Sequence, residues 1–163
     1  MEYYLRSALI AVGLMILQTT FVPFLSVEGF LPDLLLIWIV YFAIRRGQLD
    51  ATVAGFAAGL LQDLLTMQFL GLAAFSKTIA GFAAGYFYNE NNTEQTLSSY
   101  RFLLIILLCS AVHNITYFGI FLQGSEGMSI PTLMEYTIVT SLYTTAIGAL
   151  PMFTFARKQG FAS

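Results

Sequence analysis

Cysteine, histidine, proline and charge are all scarce in this 163-residue chain, and each scarcity closes off a class of protein. A single cysteine, Cys109, rules out an intrachain disulfide framework. It lies inside an apolar run and reads as a small core hydrophobe. One histidine and no Cys/His/carboxylate grouping leave no pattern for a metal site, so neither metal nor cofactor is expected. Charged residues make up 10% of the chain, against about 25% in soluble domains. There is no phosphate loop, no Gly-x-Ser-x-Gly and no His-Glu-x-x-His. The hydrophilic connections are too short to fold as a soluble catalytic unit. An enzyme is therefore not expected, nor is a nucleic-acid partner.

What is present is apolar: 58% of the chain, against about 45–50% in soluble domains. A bilayer core about 30 Å thick needs roughly 20 apolar residues per crossing. Six runs come near that length, at residues 5–24, 30–46, 51–65, 70–88, 100–122 and 136–155. The second and third are short. The run 7–25 is too long for a signal h-region and no Ala-x-Ala follows, so a retained first helix is expected. Arg6, Arg45, Arg46, Arg101, Arg157 and Lys158 all flank alternate ends of these runs. The connections around 23–33, 66–69 and 123–135 carry no Lys or Arg. That is the positive-inside pattern with both termini in the cytoplasm. The expectation is an all-α integral membrane protein of six transmembrane helices. It would be one domain over residues 1–163, in contact with membrane lipid and working within the membrane or through its surface.

Residues 52–59 read Thr-Val-Ala-Gly-Phe-Ala-Ala-Gly, and residues 78–85 repeat them with one change. Each copy holds a Gly-x-x-x-Gly pair, Gly55/Gly59 and Gly81/Gly85. Small residues decide which helix surfaces associate in lipid, because apolar burial alone discriminates little there. The third helix begins at its copy and the fourth ends with its own, so both lie at similar depth. The two motifs are expected to face each other in a tight antiparallel hairpin, or to pack on a partner helix.

Lys77 interrupts an apolar run near mid-membrane, where an unpaired charge is costly. Asp63 lies a few Å away in depth at 1.5 Å rise per residue. An Asp63–Lys77 ion pair is expected, with Gln62 as a further partner. The alternatives are a snorkelling lysine with Asp63 capping the outer loop, or a proton relay. Pro32 and Asp33 open the second helix, where proline suits the first turn and an acid complements the dipole. Asp33 can instead offer a polar contact to an extracytoplasmic partner. The fifth run carries Ser110, His113, Asn114 and Tyr117 on one face, and the sixth carries Thr137, Thr140, Ser141, Thr144 and Thr145. These faces must point inward, with His113 and Asn114 meeting roughly the level of Thr144. A histidine in such a setting reads as a satisfied core residue rather than a ligand.

Residues 15–88 resemble the bacterial rod shape-determining protein MreD family. The resemblance rests on Gln18-Thr19-Thr20, Pro32-Asp33-Leu34-Leu35-Leu36, Arg46-Gly47, Gly55, Gly59-Leu60-Leu61-Gln62-Asp63-Leu64 and Gly71-Leu72. It implies a non-enzymatic, multi-pass subunit of the cell-wall elongation complex in the bacterial cytoplasmic (inner) membrane. The implied partner is the bitopic protein MreC. Through it the chain would be linked to the MreB filament, the RodA glycosyltransferase and its transpeptidase. The implied fold is like that of the substrate-binding subunits of energy-coupling-factor transporters. A small-molecule transporter subunit is the reading from a different class, because the polar faces of the last two helices could line a pocket. Against it, the first helix lacks an Ala-x-x-x-Ala docking motif. An ion channel lacks a filter segment. The oligomeric state, the docking face and the contents of any cavity are not readable from the residues.

Overall fold

Long apolar runs with few breakers become helices, and the glycines and prolines between them become turns. A computed structural model describes residues 2–26, 29–67, 69–121 and 129–160. Helix α1 spans Glu2–Thr20 and is followed by a 3-10 turn at Val22–Leu25. Then come α2 (Leu34–Arg46), α3 (Gln48–Thr66), α4 (Leu72–Gly85), a short α5 (Thr93–Leu97), α6 (Tyr100–Phe121) and α7 (Ile130–Gly160). No strand occurs among the described residues. A single glycine joins α2 to α3. Gly47 has φ +91, a region that side-chain-bearing residues rarely adopt, so it can turn the chain within one residue.

The helices depart from expectation at their ends. α2 begins at residue 34 rather than 30, because Pro32 stays outside and Asp33 takes an extended conformation. α7 has 31 residues, extending past the expected span at both ends. Its added turns contain Thr132, Glu135 and Arg157, which a hydropathy criterion trims away. Residues 123–128 of the expected outer connection lie outside the described residues, and the rest of it is mostly helical.

Tyr100–Phe121 and Ile130–Arg157 are long and apolar enough to cross a membrane. α2 and α4 have 13 and 14 residues, about 20 Å each, and α3 carries Asp50 and Asp63. The short helices are the interior ones. α2 packs against α1, α3, α4, α6 and α7, with Leu35, Leu36, Ile39, Val40, Ala43 and Ile44 fully buried. Leucines instead cover the outside: Leu104, Leu108, Leu142 and Leu150 are all more than half or half exposed. Exposed leucines around a core that also holds a buried polar cluster suit a hydrocarbon surround. Tyr4 near the start of α1 lies against Arg46 and Asp50, and Arg101 shares a cleft with Asn89 and Asn92, so Arg6, Arg45, Arg46 and Arg101 gather at one end. There α5 is tied down by an Arg45–Glu94 ion pair at 2.7 Å and by buried Leu97.

Candidate functional site

The site is built on the α3–α4 hairpin. A Cβ placed on Gly59 would stand 2.5 Å from the Ala73 carbonyl and the Ala74 Cα. One on Gly81 would stand 2.5 Å from the Ala51 carbonyl. Gly55 lies against the Lys77 carbonyl, and Gly85 against Gln48. All four glycines therefore lie in the hairpin, but not glycine upon glycine. The two motifs are about two turns out of step, and each packs on the other helix's main chain or small residues.

The next level of this ladder is Asp63, which is 4% exposed. Its carboxylate accepts from the N–H groups of Gly71 (2.9 Å), Ala73 (3.1 Å) and Ala74 (3.0 Å). These are the donors that a helix start leaves without partners. Asp63 thus caps α4 from across the turn, with the helix dipole favouring its charge. It does not pair with Lys77, contrary to the expected ion pair, because three N–H groups already occupy its oxygens. Asp63→Ala is expected to cost about 2 kcal/mol, the upper range for a lost N-cap. Asp63→Asn, which keeps an acceptor, should cost less; thermal unfolding in detergent checks the order.

Lys77 instead reaches Asp33. The two form a buried ion pair, with the lysine side chain 1% and the aspartate side chain 11% exposed. α2 starts inside the bundle, which places Asp33 at the depth of Lys77. Asp33 caps α2 as well, its Oδ1 accepting from Leu36 N–H at 3.0 Å. Its own N–H donates to Thr144 Oγ1 at 3.1 Å. His113 Nε2 lies 3.4 Å from the carboxylate. One residue therefore gathers four helices, its carboxylate reaching α2, α4 and α6 and its backbone N–H reaching α7. Pro32 precedes the cap rather than opening the helix.

Asn114 donates to Ser141 Oγ at 3.0 Å, one turn from the expected Thr144 level, and Thr144 turns to Asp33 instead. Tyr117 stacks on Phe121 and lies beside the His113 ring. Gln62 makes no bond to Lys77, and its Oε1 is buried without a partner. Asp33, Lys77, Gln62, His113, Asn114 and Tyr117 line one cleft of about 230 Å³. Gln18 was not singled out by any polar face. Its Oε1 accepts from Leu35 N–H at 3.1 Å, a second cap on α2 supplied by α1. A lone glutamine near the end of an apolar run was the available signal.

The contacts of Asp33, Asp63 and Gln18 neutralise a charge or close a helix start, and Asn114–Ser141 ties α6 to α7. No group of three or more metal-binding side chains occurs among the described residues. The arrangement can lock five helices together and present a polar cleft, with its one lysine already neutralised. The model of the rod shape-determining protein MreD family matches residues 2–159. No curated protein and no solved structure matches the chain.

Proposed function

Because the chain belongs to the rod shape-determining protein MreD family, we propose that it is a non-enzymatic scaffold of the wall-elongation complex, binding an MreC-like bitopic protein. The family itself carries a role in rod shape determination and a membrane location. The match over residues 2–159 is the observation that supports the reading, since it spans almost the whole chain. Six spans in one domain, both termini cytoplasmic, belong to the same proposal, as does the likeness to energy-coupling-factor subunits. The link through MreC to MreB, RodA and its transpeptidase belongs to it too. The arginines gathered at one end support that orientation. Short connections leave membrane-embedded surfaces as the main places where a partner can dock.

Two measurements test the proposal. Cysteine placed at Gln48 should label only from the cytoplasm, and at Met67 only from outside. Labelling of Gln48 from outside intact cells would overturn the orientation. Stoichiometric co-purification of the MreC-type protein from detergent is the second expected result. A co-purifying small molecule with no such protein would favour transport instead.

A further inference from the structure

Arg101 differs from its neighbours at the arginine end of the bundle. Arg6 lies near Glu2, Arg45 pairs with Glu94, and Arg46 sits over the Tyr4 ring. Arg101 makes no ion pair, hydrogen bond or ring contact among the described residues. It is also the second residue of α6, a 22-residue helix whose first turn holds no acid. A cation at the positive end of a helix dipole is badly placed, and an anion bound there would satisfy both.

Arg101 lines a cleft of about 360 Å³ whose other polar groups are Asn89, Asn92 and Thr96. Asn89 Oδ1 accepts from Asn91 N–H at 3.1 Å, so the Asn89 amide nitrogen is left as a donor. Thr96 is 9% exposed, yet its hydroxyl has no partner among the described residues and keeps accessible surface. A hydroxyl so deeply placed ordinarily has one. No carboxylate lines the cleft, because Glu90 and Glu94 face the neighbouring one with Arg45 and Arg46. The cleft therefore gathers donors and one cation, with no negative charge of its own. Its rim is held in place by fully buried Leu97 and by the Arg45–Glu94 pair.

The remaining wall is apolar. Leu104 and Leu108 follow Arg101 at i+3 and i+7 on one face of α6, and are 50% and 55% exposed. Seven residues at 1.5 Å rise carry that wall about 10 Å from the arginine along the helix axis. A soluble anion would leave these leucines uncovered, and an uncharged lipid would leave Arg101 unpaired.

We infer that this cleft binds an anionic phospholipid of the leaflet at the arginine end. Its phosphate accepts from the Arg101 guanidinium, the Thr96 hydroxyl and the asparagine amides, and one acyl chain runs along Leu104 and Leu108. Basic pockets on the cytoplasmic side of membrane proteins hold lipid headgroups in this way. A phosphatidylethanolamine headgroup fits less well, since the cleft offers its ammonium no carboxylate. The inference goes beyond the scaffold reading and needs no partner protein.

The test is native mass spectrometry of the full chain in detergent, with phosphatidylglycerol or phosphatidylethanolamine of identical chains added. One phosphatidylglycerol should be retained in preference to phosphatidylethanolamine. Arg101→Gln should weaken that retention by roughly tenfold, the worth of a charge-assisted hydrogen bond. Thr96→Val should weaken it less, Arg101→Lys should keep much of it, and Arg6→Gln should leave it unchanged. The unfolding midpoint of Arg101→Gln without added lipid should equal that of the unsubstituted chain, since Arg101 has no partner to lose. Inorganic phosphate at the same concentration should not displace the lipid, because it covers no leucine. In membranes, photoreactive benzoylphenylalanine at Leu104 should crosslink to lipid. Equal retention of the two lipids, full retention by Arg101→Gln, displacement by inorganic phosphate, or a crosslink from Leu104 to protein alone would each overturn the assignment. None of these results bears on capture of an MreC-type protein, which tests the scaffold reading separately.

Discussion

Lys77→Met is expected to be among the most damaging single substitutions in the chain, costing about 3–5 kcal/mol. The side chain is almost fully buried, and its partner is the carboxylate that also caps α2. Removing the ammonium leaves the Asp33 carboxyl desolvated with no counter-charge, beside Leu36 N–H and His113 alone. Removing both charges is different in kind. The Asp33→Asn/Lys77→Met double variant keeps an acceptor for Leu36 N–H and leaves no ion behind. It should recover most of the lost stability, because a buried pair replaced as a unit often costs little. Thermal unfolding in detergent gives the coupling between the two positions. Asp63→Asn combined with Lys77→Met should be additive to within about 0.5 kcal/mol, as for sites that share no partner. Strong coupling to Asp63, with none to Asp33, would show the ion pair to be wrongly assigned.

That contrast also marks where reading the residues runs out. Periodicity placed His113 on an inward face, and rise per residue gave the depths of Lys77 and Asp63 to within about a turn. Neither quantity decides which of two carboxylates a lysine takes. The decision lies in the turns. Residues 29–33 dip inward, so that Asp33 descends to the lysine's level. The start of α4 folds back so that its N–H groups take Asp63 first. The Gly-x-x-x-Gly pairs were legible as packing surfaces because four-residue spacing defines a helix edge. Their register was not, since an antiparallel hairpin can slide by a turn and keep small residues at every level. Gln18 shows a further limit: a cap supplied from another helix leaves no local pattern at the helix it serves.

Gly59→Ala should be far more harmful than its single added methyl suggests, and Gly13→Ala should be harmless. Both replace a helical glycine, so both gain about 0.5–1 kcal/mol of helix propensity. At Gly13 nothing lies within 4 Å of the new Cβ, and that gain should appear as a small rise in stability. At Gly59 the new atom would stand 2.5 Å from the Ala73 carbonyl oxygen and Ala74 Cα, and neither is a side chain that can rotate away. The hairpin itself must separate. Overpacking of this sort costs about 1–3 kcal/mol, occasionally more. Here it also pulls Asp63 from the N–H groups it caps, one turn along the same contact. A net loss of about 3 kcal/mol or more is therefore expected for Gly59→Ala, and Gly59→Leu should yield no folded protein. The same ordering should hold for Gly81→Ala, whose Cβ meets the Ala51 carbonyl at 2.5 Å. Equal unfolding midpoints for Gly59→Ala and Gly13→Ala would mean that α3 and α4 are not in backbone contact. The placement of Asp63 at the start of α4 would then fail with them, since the hairpin is what brings it there.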